Sequence, residues 1–257
     1  MPTTTADISA FYAGSKPVDK LYAGSTQIWT SAPASYAAMV ESLSPVSYWK
    51  LNEASGVAVD SSGNDLDGTW FNTPTYQQIV GGDGDSYPQF NSARVVSPTT
   101  PLHNTLGTGF TWTALIRPEA SGQWTFFSRS SGSTYIFLAY ANFGTDMNCE
   151  FNGAANRALT AADEIPRETW SHVVVSVGPA AADEIQIYVN GVDVVSSRPV
   201  VGNRIDAEAI PITLGSVPNL GALQLQGHMA HAAMYQYQRV GERKRRNDKR
   251  IQALVET

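Results

Sequence analysis

Hydrophobic and polar positions alternate in short runs through the middle of the chain. FTWTALIRP (110–118), WTFFSRS (124–130), TYIFLAY (134–140), WSHVVVSV (170–177), EIQIYVNGVDVV (184–195) and IPITLGS (210–216) are β-branched and aromatic stretches closed by Gly, Pro, Ser or Asn. Such spacing predicts an all-β fold. In EIQIYVNGVDVV the apolar Ile185, Ile187 and Val189 alternate with Gln186 and Tyr188 before Asn190-Gly191, after which Val192 and Val194 resume the pattern. Asn-Gly tolerates the positive φ of a two-residue turn, so the segment predicts a hairpin.

Helical periodicity is scarce. ASYAAMVESL (34–43) reads as a helix that stops before Pro45, and Glu242–Val255, free of Pro and Gly, reads as a second. Near the start, YAGS occurs twice ten residues apart, at 12–15 and 22–25, each copy following an apolar residue, Phe11 or Leu21. These read as short strands joined by Gly-Ser turns, too small a unit to be stable alone. The chain therefore divides into an N-terminal hairpin module (1–31), a β domain (36–238) and a basic C-terminal helix (239–257).

Composition narrows the chemistry. At 257 residues and 42% hydrophobic content, the chain can bury a sizeable core. No run approaches the roughly 18 apolar residues of a membrane helix, and MPTTTADISAF has no basic start followed by an apolar run, so neither membrane insertion nor a secretory signal is expected. Cys149, the single cysteine, has no base beside it in sequence and reads as a buried thiol. Net charge is −6, yet residues 239–250 carry a local +5 and leave −11 for the remainder. That run reads as a solvated helix or as a dock for an acidic surface; no interleaved aromatics or reader motif point to nucleic acid.

Residues 44–70, SPVSYWKLNEASGVAVDSSGNDLDGTW, carry Tyr48, Trp49, Leu51, Glu53, Gly56, Asp60, Gly63, Asn64 and Gly68 in an order that resembles the opening of laminin-G-like domains of the concanavalin A-like superfamily. FTWTALIRP, TWSHVVVSV followed by IYVNGVDV, and GHMAHAAMYQYQRV follow in that family's order. The resemblance implies a two-sheet antiparallel jelly-roll sandwich. One block departs from it, with Ala230-His231 where the family carries an Asp-Glu pair, which removes carboxylates that could serve a metal or anchor the sheet. The YAGS stretch resembles short segments that recur near the start of bacteriophage virion proteins, especially tail-associated ones. That likeness implies an attachment module using Tyr12, Tyr22 and Trp29 against a neighbouring virion subunit, with the protein assembled in the host cytoplasm and oligomeric within the virion. The partners expected are other virion subunits and host cell-surface glycan.

Candidate sites follow from these readings. Trp70, Tyr76, Tyr87 and Trp124 lie in or beside loops and could stack on sugar rings, or could belong to the sandwich core. Asp60, Asn64 and Asp67 could contribute to a calcium site, or could cap their own backbone in a tight turn; calcium wants about six to eight oxygens, more than they supply. A glycosidase would need two carboxylates roughly 5 to 10 Å apart in one groove. The acidic pairs at 163–164 and 183–184 sit in polar loops instead. His172 reads as packed, His103 as isolated, and His228 and His231, three apart on one strand, should face opposite ways and not share a metal. The expectation is a non-enzymatic phage virion protein, a minor tail protein, that binds host carbohydrate; a purely structural capsid decoration is the alternative.

Overall fold

The computed structural model describes residues 11–13, 16–18, 20–23, 26–30, 35–103, 109–120, 124–131, 134–142, 146–151, 156–160, 164–178, 185–197, 210–217 and 223–236. Its N-terminal part holds two antiparallel pairs, not one: β1 (Phe11–Ala13) with β2 (Lys16–Val18), and β3 (Lys20–Ala23) with β4 (Thr26–Thr30). Ala13 opposes Lys16 and Ala23 opposes Thr26, so each YAGS copy marks one strand reversal with Gly-Ser between the strands. The side chains of Tyr12, Tyr22 and Trp29, and the expected helix at 239–257, lie outside the described residues.

α1 (Tyr36–Ser42) starts at Ser35, whose hydroxyl accepts the Ala38 N–H at 3.1 Å. It buries Tyr36, Met39 and Val40, the i, i+3, i+4 stripe of one helical face, and gives way at Leu43 before Pro45. The domain that follows is a sandwich of two antiparallel sheets. Its early strands are β5 (Ser47–Trp49), β6 (Thr69–Phe71), β7 (Thr75–Val80), β8 (Ser86–Gln89) and β9 (Arg94–Val96). The long middle strands are β10 (Phe110–Pro118), β11 (Trp124–Ser131), β12 (Thr134–Asn142), β13 (Asp146–Phe151), β14 (Asn156–Thr160), β15 (Ser171–Val177) and β16 (Ile185–Val189). β17 (Val192–Asp193), β18 (Val195–Ser197), β19 (Ile212–Leu214) and β20 (Gly227–Gln236) complete it.

Among the described residues the first sheet runs β17-β16-β15-β10-β20-β8-β7, with β5 also paired to β20; the second runs β18-β14-β13-β12-β11-β19-β9-β6. Alternation decides what faces inward. From β10 the core takes Phe110, Trp112, Ala114 and Ile116; from β15 it takes Val173, Val175 and Val177; the second sheet answers with Phe127, Met147, Cys149, Ile212 and Leu214. Asn190 and Gly191 have φ of 49° and 77°, the positive pair that a tight hairpin between β16 and β17 requires.

β20 departs from simple alternation. Thr113 opposes Ala233 but Leu115 opposes Ala230, so β20 spends three residues where β10 spends two, and the bulge falls at His231, whose φ is 51°. The extra residue overturns the expectation that His228 and His231 face opposite ways: both end on the outer face of the first sheet, His231 against Tyr36 and Tyr48 and His228 against Trp170.

β20 begins at Gly227, whose φ of 152° lies outside the ordinary strand range. A Cβ placed there would meet the Arg117 carbonyl oxygen at 2.3 Å and the Pro118 Cα at 2.9 Å, both backbone atoms that cannot swing aside. Gly227→Ala is therefore expected to cost about 2 to 4 kcal/mol, read as a lower denaturant midpoint at unchanged slope.

Candidate functional site

The outer face of the first sheet is organised in cross-strand rows. Arg117 of β10 opposes His228 of β20, and His228 opposes Gln89 of β8; Trp170 precedes Ser171, which opposes Ile116. Trp170, Arg117, His228 and Gln89 thus form one row across four neighbouring strands. One step along, His172, Leu115 and Ala230 oppose one another, with Tyr87 two residues from Gln89 on the same face. α1 roofs this second row and the next: the Tyr36 ring meets His172 at 5.9 Å and His231 at 4.8 Å, and Tyr36, Met39 and Val40 cluster with Tyr48 and Ala233. The first row lies beyond the roof.

Beneath and beside α1 is a closed polar network. His231 Nδ1 lies 2.5 Å from the Tyr48 hydroxyl, and its Nε2 lies 2.7 Å from both the Tyr87 hydroxyl and Asp83 Oδ2. Asp83 also accepts the Tyr87 O–H. One assignment satisfies every group: a neutral imidazole protonated at Nε2 donates to Asp83 and accepts the Tyr48 O–H at Nδ1. Burial holds His231 below the usual imidazole range, against the opposing pull of Asp83. Burial would raise the Asp83 carboxyl, but the hydrogen bonds of Tyr87 and His231 outweigh it and keep it below the usual carboxylate range. His172 is closed off similarly, with Nε2 2.7 Å from the Thr113 hydroxyl.

The row outside the roof is built around Glu119. Its Oε1 accepts from Arg117 Nη1 at 2.5 Å and lies 3.0 Å from His228 Nε2; its Oε2 accepts Gln89 Nε2 at 2.6 Å. His228 Nδ1 faces the Pro88 carbonyl at 3.0 Å, Arg117 Nε donates to the Glu168 carbonyl at 3.1 Å, and the exposed Asn91 donates to Gln89 Oε1 at 3.0 Å. Partial burial would lift the Glu119 carboxyl, but Arg117, His228 and Gln89 hold it below its usual range. Trp170 is half-buried, its ring 5.7 Å from Tyr87 and 6.3 Å from His228. A half-exposed indole beside a fixed carboxylate, guanidinium and amide is a surface for a ligand with one apolar face and several hydroxyls.

The four aromatics expected at a sugar surface fare unequally. Tyr87 and Trp124 are corrections: each is 1% exposed, and a buried ring offers no face to a sugar. Trp70 and Tyr76 do meet, 6.2 Å apart and edge-on, where β6 and β7 end their respective sheets. Both are half-buried; Trp70 leans on Phe90 at 5.2 Å, and the Tyr76 hydroxyl donates to the Gly56 carbonyl. Trp170, grouped only with a packed strand in the sequence, was the ring missed. Its one signal was its place immediately before a strand whose outward positions include His172.

The acidic turn reads differently once its bonds are seen. Asp60 Oδ1 accepts the N–H groups of Tyr48 and Ser62, and Oδ2 accepts the Ser62 hydroxyl and the Leu66 N–H, all within 3.0 Å. Asp67 Oδ1 accepts the Asp60 N–H, and the Asn64 amide donates to the Val46 carbonyl. Four protein donors fill the Asp60 carboxylate, so Asp60, Asn64 and Asp67 do not fit a calcium centre; they tie the loop to β5. Cys149 is buried, and burial pushes its thiol well up.

A family model described as the concanavalin A-like lectin/glucanases superfamily matches residues 83–242. The Tyr48–Gly68 motif precedes that span, yet β5 completes the same sheet by pairing with β20. Among solved structures, Trypanosoma rangeli sialidase in complex with 2,3-difluorosialic acid is similar at 15% identity and a TM-score of 0.60, over 82% of this chain and 33% of that one. The binding domain of botulinum neurotoxin DC in complex with SialylT is similar at 13% identity and a TM-score of 0.56, over 83% of this chain and 51% of that one. The same binding domain in complex with rat synaptotagmin II gives 12% and 0.56, over 84% and 52%. This chain thus spans a third to a half of those it resembles, and at such identities the likeness shows the fold. No curated protein matches it.

Two measurements check the site's energetics. Asp60→Asn should lower stability by about 1 to 3 kcal/mol through unsatisfied donors, whereas a chelator should leave the melting temperature of the unaltered chain unmoved. Burial pushes His172 down to about 3 and, helped by Arg129, His103 down to about 4. Unfolded imidazoles titrate near 6.5, so the unfolded chain binds more protons below that value. Stability should be complete above about pH 6.5 and fall as pH drops toward 4, by up to about 1.4 kcal/mol per unit for each histidine. Thermal melts across that window should show a shallower slope for His172→Gln.

Proposed function

Because this chain belongs to the concanavalin A-like lectin/glucanases superfamily, we propose that it is a non-catalytic carbohydrate-binding protein of a bacteriophage virion, tail-associated, whose target is host-surface glycan. The observation that carries the reading is the row in which Glu119 ties Arg117, His228 and Gln89 together, with the Trp170 ring beside His228. Pyranose rings pair an apolar C–H face with a rim of hydroxyls, and this row pairs an indole with fixed donors and acceptors. Trp70 and Tyr76 offer a second, smaller contact at the sandwich edge.

The ionisation of the carboxylates supports binding without hydrolysis. A glycosidase keeps one carboxyl protonated near neutrality so that it can serve as general acid. Here Glu119 and Asp83 are both held below the usual range, each by its own donors, and the carboxyl that burial raises, Glu53, is tied to the Val59 N–H in the loop after β5. The place on a particle rests on the two YAGS hairpins and their likeness to virion attachment segments. Many copies on one particle would make weak single-site binding sufficient.

The test is direct binding of the full chain to glycans from the host envelope. Saturable binding is expected, weakened at least about tenfold in Trp170→Ala and less in Trp70→Ala, with both variants still melting cooperatively. Removal of residues 1–31 is expected to abolish incorporation into particles. A chain that binds no glycan fraction would leave the decoration role, with no sugar ligand.

A further inference from the structure

Resting on the proposed carbohydrate site, we infer that the surface formed by Trp170, Arg117, Glu119 and Asn91 takes an uncharged saccharide and rejects sialic acid and other anionic sugars. The basic side chains of the row are already engaged: His228 sets both ring nitrogens against acceptors, the Pro88 carbonyl and Glu119. Arg117 gives Nη1 to Glu119 and Nε to the Glu168 carbonyl, so two of its three nitrogens are committed and its charge is met by a carboxylate at 2.5 Å. Recognition of a sugar carboxylate ordinarily spends a free guanidinium fork, which this arginine does not present.

What the row retains suits hydroxyls. Glu119 Oε1 serves Arg117 and His228, while among the described residues Oε2 serves Gln89 alone and keeps capacity for one more donor. The Arg117 side chain is 17% exposed and that of Glu119 30%, enough for a ligand to touch both. A vicinal diol can donate one O–H to Glu119 Oε2 and accept at its neighbouring oxygen from the guanidinium or the Asn91 amide. A carboxylate in the same place would set its oxygens against those of Glu119.

The surroundings reinforce the choice. Asp83 is bonded to Tyr87 and His231 in the adjoining row and Asp85 accepts the Asn52 amide at 2.7 Å, while Glu168 meets Arg117 through its carbonyl; the cation beside the adjoining row, Lys50, is paired with Glu41 at 2.9 Å. Between residues 51 and 93 there are six acidic residues, Glu53, Asp60, Asp65, Asp67, Asp83 and Asp85, and no Lys or Arg. An anionic ligand would approach this face against its field.

The experiment compares matched pairs on the full chain by ligand-observed NMR: lactose with sialyllactose, and methyl glucoside with methyl glucuronide, alongside the methyl glycosides of mannose and N-acetylglucosamine. We expect at least one neutral sugar to bind and its anionic counterpart to bind at least about tenfold more weakly. That binding should be lost in Trp170→Ala and in Arg117→Met, while Glu119→Gln should narrow the discrimination. Melting curves will separate lost binding from lost fold. If an anionic member binds as tightly as its neutral partner, or if neutral-sugar binding survives both Trp170→Ala and Arg117→Met, the inference falls and the carbohydrate-binding reading stands. If no sugar and no host glycan binds, both fall together.

Discussion

The extra residue that β20 inserts at His231 governs what the first sheet can display. Strict alternation from His228 would turn His231 toward the hydrophobic core, where an imidazole has no partner. The bulge instead rotates it outward, at a φ of 51° that costs a non-glycine residue about 1 to 2 kcal/mol. Contacts with Tyr48, Tyr87 and Asp83 offset that cost. One of those contacts comes from a different segment: Asp83, before β8, lies beside His231 and ties β8 to β20.

That tie has a consequence across the sheet. Among the described residues β8 and β20 share one register pair, His228 with Gln89, and one flanking backbone bond, Phe90 N–H to the Gly227 carbonyl, so side chains supply much of the connection between the two strands. The Asp83–His231–Tyr87 network does so on one side, and the Glu119 cluster on the other. α1 seals Tyr36, Tyr48, His172 and His231 from water, and that burial lowers the proton affinity of both histidines. The second cluster lies beyond the helix and stays wet. A single sheet face thus carries a dry half that stabilises and an open half that can meet a ligand.

Much of this fold was legible in residue order. β10 occupies the span its alternation predicted, the Asn190-Gly191 turn is where its positive φ required it, and the helix before Pro45 forms as its stripe indicated. The early strands that escaped notice either break alternation or are too short to show it. β7 bends at Gln77, with φ of 51°, and exposes most of its residues at the sheet edge; β6 and β9 are three residues each. The two YAGS copies read as one hairpin module because each strand is too short for a period; pairing shows two. Tyr87 and Trp124 sit beside loops in sequence and inside the sandwich in space, since adjacency to a turn does not fix which face a ring takes.

The open row marks the limit of such reading. Gln89, Arg117, Trp170 and His228 come from four segments, and no spacing along the chain relates them. Periodicity assigns each residue a face of its own strand; only register brings the four level, and the register of β20 is set by a bulge that no local propensity announces. Glu119 lies just past the last residue of β10, where a sequence reading sees a solvated acid after proline. Its role follows from what three strands deliver to it. The same three donors that fix its position also hold its carboxyl below the usual range, so one arrangement builds the polar surface and fixes the charge at its centre.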